Sequence, residues 1–189
     1  ASLAQAADWR VDLIIFEDRN NRGGAPGEMA GPARAPESRD AIPLSDTARL
    51  SAAGIRMLPE SDFGLQTQWN RLNNSQRFNP VMRLSWIQRD PPQRNGPRLR
   101  ISHGPSFEIG RAMDPGGSRS IQQIEGVIAL TLQRFLHLDL DLQWAEAGYG
   151  GEPMGFVLQE QRRMRSNTLH HVDSPRFGVI TRIVRVGDG

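Results

Sequence analysis

Between residues 162 and 179 the chain reads RRMRSNTLHHVDSPRFGV, which gathers four arginines, two adjacent histidines, an aspartate and a proline-closed turn. A histidine oriented by a carboxylate is the usual general base, so His170, His171 and Asp173 are the first group to weigh. Adjacent histidines on an extended chain point to opposite faces, so only one of them can serve with Asp173. No G-x-S-x-G, H-E-x-x-H or glycine-rich phosphate loop accompanies them. The pattern argues against catalysis, and no catalytic residue is assigned. Arg162, Arg163 and Arg165 form the tightest basic cluster. With Arg176, Arg182 and Arg185 they make a stripe across the last two strands that suits an anionic polymer. The alternative is that Glu160, Asp173 and strand-face aspartates pair with them across a sheet. His137, Asp139 and Asp141 also share one strand face, but a spacing of roughly 6 to 7 Å is wide for three ligands of one ion. A solvated face accounts for them, and neither metal nor cofactor is expected.

The whole chain sharpens these choices. All 23 basic residues are arginine, the formal net charge is only +2, and there is no cysteine, which excludes disulfides, thiolate catalysis and cysteine-type zinc sites. A genome that favours arginine codons is enough to produce such an excess, so the clustering of arginines says more than their total. Aromatic residues are few and no RNP-like or helix-turn-helix pattern appears, which leaves a nucleic-acid-binding basic domain as a runner-up. No run of eighteen apolar residues exists, so no membrane span is expected. Ala4-Gln5-Ala6 has the small-x-small form that precedes a signal-peptidase cut. Residues 1–8 are therefore expected to be a signal remnant or flexible N-terminus of an exported protein, followed by one domain over 9–189.

The elements that must position these residues are mostly extended. WRVDLIIFE, residues 9 to 17, puts Trp9, Val11, Leu13 and Ile15 on one face of a strand. Residues 18–43 are rich in glycine and proline with no apolar period, and are expected to form a long mobile loop. From Leu44 a short helix or strand fragment follows, with Ser45 or Asp46 as a possible cap. Leu65, Trp69 and Leu72 recur at helical spacing behind Ser61 or Asp62 as cap. VMRLSWIQ alternates as a strand, and a short strand covers Arg98 to Ser102. In IEGVIALTLQRFLHLDLDLQW nine apolar residues fall on even positions from Ile124 to Trp144, broken only by Gly126 and Arg134. That is extended structure, and the unbroken alternation favours a bend near Gln133-Arg134 that keeps the face. FVLQEQRRMR and FGVITRIVRV add two strands joined as a hairpin with a long connection. The expected architecture is α+β: a mainly antiparallel twisted sheet of about six strands, with one or two helices packed on its apolar face.

The order of these pieces resembles a known family. W-x-V-D-L-I-I-F-E is followed by L-x-x-x-W-x-R-L-x-x-S-x-R-F, then L-x-W-x-Q, then G-x-I-x-L-x-L-x-R-F-L-H-L-D-L-D-L, and last R-R-M-R-S-x-x-L-H-H-x-D-x-P-x-F-G-V. Together they resemble the CsiV family of periplasmic peptidoglycan-binding proteins of gammaproteobacteria, over nearly all of the chain except residues 18–43 and the C-terminal end. His171 stands where the family usually has tyrosine, and Ser174 where a second histidine often follows. The resemblance implies a non-catalytic periplasmic protein that binds peptidoglycan and supports a class A penicillin-binding protein through its outer-membrane lipoprotein activator. Arginine forks could grip stem-peptide carboxylates and exposed tryptophans could carry glycan rings. The candidate contacts to wall or partner are Arg162, Arg163, Arg165, His170, Asp173, Arg134, His137 and Trp144. A protein-docking module that uses a sheet edge is the further alternative.

Overall fold

The computed structural model describes residues 7–20, 30–110 and 115–187. The signal-like Ala4–Ala6 and the stretch 21–29 of the expected loop lie outside the described residues. Along the chain come β1 (Asp8–Asp18), β2 (Ala30–Pro32), β3 (Ile42–Pro43), α1 (Thr47–Ala52), β4 (Ile55–Met57) and α2 (Gln66–Asn73). They are followed by β5 (Phe78–Arg89), β6 (Arg98–Ile109), β7 (Arg119–Leu132), β8 (Leu136–Glu146), β9 (Met154–Met164), β10 (Leu169–Asp173) and β11 (Phe177–Arg185).

The α+β class stands, but the strands form two sheets where one of about six strands was expected. The five-stranded sheet runs β10-β11-β1-β5-β4 and the six-stranded sheet β2-β9-β8-β7-β6-β3. Every pairing is antiparallel except that of β3 with β6. Three layers result. Val11, Leu13 and Ile15 of β1 share one core with Ile124, Ile128, Leu138, Leu140 and Leu142 of the second sheet. On the other side of β1, Ile14 and Phe16 pack with Leu65 and Leu72 around α2. The apolar run LIIF is thus buried on both faces, and the larger core comes from sheet against sheet with the helix on the outer side.

The period-two run over 124–144 is a hairpin, β7 and β8, and not a single bent strand. Its turn, residues 133–135, has three residues, and Leu132 pairs with Leu136, Leu130 with Leu138 and Ile128 with Leu140. An odd turn returns every even position to the face it left, so a hairpin preserves the alternation as well as a bend does. The last two long strands do not form a hairpin with each other either. β9 belongs to the six-stranded sheet, whereas β10 and β11 pair in the other. RRMRSNTLHHVDSPRFGV therefore crosses from one sheet to the other. The strand begun at Arg98 continues to Ile109, with a register shift between His103 and Ser106 that carries it past its own Gly-Pro.

Asp46 caps α1, its Oδ1 accepting from the Arg49 amide at 3.1 Å. Ser61 and Asp62 do not cap α2. They lie in a short 3-10 turn, and the residue before the helix is Leu65, left-handed at φ 62° and buried against the outer side of β1. The adjoining Gly64 rests on the carboxylate of Asp12, where a Cβ would overlap the side chain. Asp12, 1% exposed at its side chain, accepts from Ser85 Oγ at 2.6 Å and from Arg10 Nε at 2.9 Å. Arg10 in turn donates to the Asp62 carbonyl at 2.6 Å, so one buried charge ties the segment before the helix to the sheet.

Candidate functional site

The residues singled out by sequence fall in three places. Arg162 points to the inner side of β9, where it donates to Glu160 at 2.7 Å and to the His171 carbonyl at 3.0 Å. It therefore seams one sheet to the other. His170 lies at the same seam and accepts the Arg165 amide on Nε2 at 3.1 Å. Partial burial, then the neighbouring Arg162 charge, lowers its pKa and holds the ring neutral. Asp173 pairs with His171 at 3.0 Å and not with His170. The Ser174 hydroxyl donates to the Phe177 carbonyl at 3.0 Å.

The second place is one end of the six-stranded sheet, where buried Thr131, half-buried His137 and exposed Arg163 lie side by side. The Arg163 guanidinium sits 3.2 Å from the centre of the Phe135 ring, with Arg134 at 5.4 Å. The third place is the core. Trp144 is 2% exposed, stacks on Phe177 with ring centres 6.1 Å apart and donates to Glu146 at 3.3 Å. It cannot present a face to a sugar. Trp86 is also buried, while Trp9 and Trp69 are half-buried. No tryptophan of the chain is exposed.

A further surface with room for a ligand was not among the candidates. Odd positions of β7, β8 and β9, and the facing positions of β6, turn away from the core in rows set by the pairing register. One row is Arg98, Ala129, Asp139 and Gln161. The next is Arg100, Val127, Asp141 and Gln159, and the third is Ser102, Glu125, Gln143 and Val157. Asp141 accepts from Gln159 at 3.0 Å. Among the described residues no three His, Asp or Glu side chains are grouped to hold an ion. The result is a polar, donor- and acceptor-bearing ledge with small apolar side chains between.

Residues 33–41, expected to be mobile loop, cross this ledge as a strap. They start from β2, which pairs with β9 at one edge, and end in β3, which pairs with β6 at the other. Gln143 fixes the strap twice: its Oε1 accepts the Arg34 amide at 2.9 Å and its Nε2 donates to the Arg34 carbonyl at 2.8 Å. Arg98 donates to the Glu37 carbonyl at 2.9 Å. Gly155 lies where the strap passes closest, since a Cβ there would stand 2.5 Å from Gln143 Oε1 and 3.0 Å from Ala33 Cα. Clefts flank the strap, of about 820 Å³ on the β6 side and about 500 Å³ toward β8 and β9, with Arg98 lining both. The alternation that turns Asp139, Asp141 and Gln143 away from the core was visible in the sequence, but Gln143 is buried and not solvated. The strap above them, which turns that face into clefts, carries no periodic signal.

Fold and surface together define an α+β protein that offers a long, open polar face crossed by its own chain. The family model described as peptidoglycan-binding protein, CsiV, matches residues 1–186, and the chain belongs to this peptidoglycan-binding family. No curated protein and no solved structure matches. A ligand of that kind points to the cell envelope, and among the described residues no helix is long and apolar enough to cross a membrane.

Proposed function

We propose that the chain is a non-catalytic, periplasmic peptidoglycan-binding protein that supports wall synthesis by a class A penicillin-binding protein through the latter's outer-membrane lipoprotein activator. The observation that carries the reading is membership of a peptidoglycan-binding family along nearly the whole chain. The chemistry of the ledge supports it: glutamines and aspartates suit hydroxyls and amides, arginines suit carboxylates, and an open face admits a polymer. On this reading Arg134, His137, Arg163 and Arg165 extend the ledge at its far end, while Arg162 and His170 serve the seam between the sheets and Asp173 stays with His171 on the opposite side of β10.

The test is co-sedimentation of the purified chain with isolated peptidoglycan sacculi over a salt series, with duplex DNA as competitor. Retention that survives moderate salt and is not competed by DNA is expected. Loss of retention to DNA would reduce the arginines to generic charge and favour a nucleic-acid-binding basic domain. One observation favours a second reading, a docking module: β2 pairs only with residues 154–156 of β9, so the edge from Val157 to Met164 has no strand beside it among the described residues. Absence of retention together with capture of the purified lipoprotein activator would select that reading.

A further inference from the structure

We infer that the cleft on the β6 side of the strap is a subsite for the free carboxylates of the peptidoglycan stem peptide. The inference rests on the peptidoglycan reading and deepens it. Arg39, Arg49, Arg98, Arg100 and Arg119 all line this one cleft, against two acidic residues, Glu37 and Asp40. They come from the strap, α1, β6 and β7, so the fold collects onto one cavity what the sequence spreads over eighty residues.

With Glu125 beneath the cleft, three carboxylates stand against the five guanidiniums, and among the described residues only Glu125 is ion-paired with one of them. Glu125, 5% exposed at its side chain, takes one Arg100 nitrogen at 2.7 Å and the Gln122 amide at 3.0 Å, which orients the guanidinium. Arg100 Nε is left buried without a hydrogen-bond partner. Arg98 spends one nitrogen on the Glu37 carbonyl, a neutral acceptor. Arg39, Arg49 and Arg119 make no side-chain ion pair among the described residues. Guanidiniums cannot shed their charge, so like charges gathered this closely repel unless an anion joins them. A planar fork matches a carboxylate with two parallel bonds.

The rest of the cleft narrows the ligand. Its volume of about 820 Å³ is that of a short peptide or disaccharide site. Ala41 and Pro43 add small apolar wall suited to alanine methyl groups, and Glu37 and Asp40 face the same space, where a free amino group of the stem would meet them. A stem peptide carries all three features, and a bare polyanion carries only the first.

The experiment is calorimetric titration with a soluble stem tetrapeptide and with the same peptide fully amidated at its carboxylates, run beside sacculus co-sedimentation. The proteins are the full chain and its triple variant Arg39→Gln, Arg49→Gln, Arg119→Gln, with the three single variants repeating the test should the triple fail to fold. Binding of the free-acid peptide is expected, weakened about tenfold or more by amidation and by the triple substitution. Equal affinity for both peptides, or an unchanged affinity in the variants while sacculi still retain the full chain, would overturn the subsite and leave the wall-binding reading standing. Failure of the full chain to sediment with sacculi would remove that reading, and the subsite with it.

Discussion

At the scale of single residues, this protein separates charges that look alike in sequence. Arg162 and Arg163 are neighbours, yet one faces inward and bonds across the gap between sheets, while the other lies outward on Phe135. Strand alternation alone decides which arginine is mortar and which is surface. The two histidines separate in the same way. His170 holds a backbone amide on Nε2, which requires the unprotonated nitrogen, and its pKa lies below the ordinary 6.5 because of burial and then Arg162. In the unfolded chain the ring protonates near 6.5, so below that pH the unfolded state binds a proton that the folded state refuses. Its stabilising share is complete above about pH 6.5 and is lost as pH falls toward the depressed folded value. Thermal midpoints taken from pH 7.5 to pH 5 should fall, and His170→Gln should flatten that slope. An unchanged slope in the variant would assign the acid sensitivity elsewhere. The Trp144 reading failed for a related reason: parity put it in line with Leu142 and Leu140, and the same alternation that revealed the strand consigned its largest aromatic to the core.

At the scale of elements, what was legible followed periodicity. β1, α2, β5 and the even-numbered face of β7 and β8 are all where apolar spacing put them. What was illegible lacked a period. Two-residue β3 and three-residue β2 and β4 are too short to show one, and β10 alternates too briefly inside a polar segment. The strap is held by Gln143, a polar residue that points away from the core and is buried beneath the strap, and that no pattern distinguishes from its neighbours. Gln143→Ala should remove both bonds to Arg34 at a cost of about 1–2 kcal/mol. Because those bonds fix a surface segment, amide exchange should quicken at Arg34 and through residues 33–41 while β8 keeps its protection. Retained protection of Arg34 would show that the pairing of β2 and β3 holds the strap alone. The candidate site was half visible on the same grounds: the ledge belongs to regular strands, but Arg39 reaches its cleft through irregular chain and Arg49 through a helix of six residues, too short to show a period.

At the scale of the whole molecule, two sheets share one core, and Trp144 of β8 meets Phe177 of β11 across it. Neither sheet has another apolar layer of that size to fall back on. Trp144→Ala should cost about 3–5 kcal/mol, as large-to-small core changes do. It should lower the melting of both sheets together, with amides of β1 and β8 exchanging through the same opening. Two separate transitions would make the sheets independent units. The strap adds a consequence in time. It precedes in the chain every strand it lies across, since residues 33–41 come before Arg98, Gln143 and the whole of β9. As the chain is made, the strap precedes its partners: β6 and Arg98 follow in the middle third, and Gln143 and β9 only in the last. Contacts that distant in sequence close slowly, so the strap is fastened at one end before the other, and the cleft toward β8 and β9 exists only once those strands are in place.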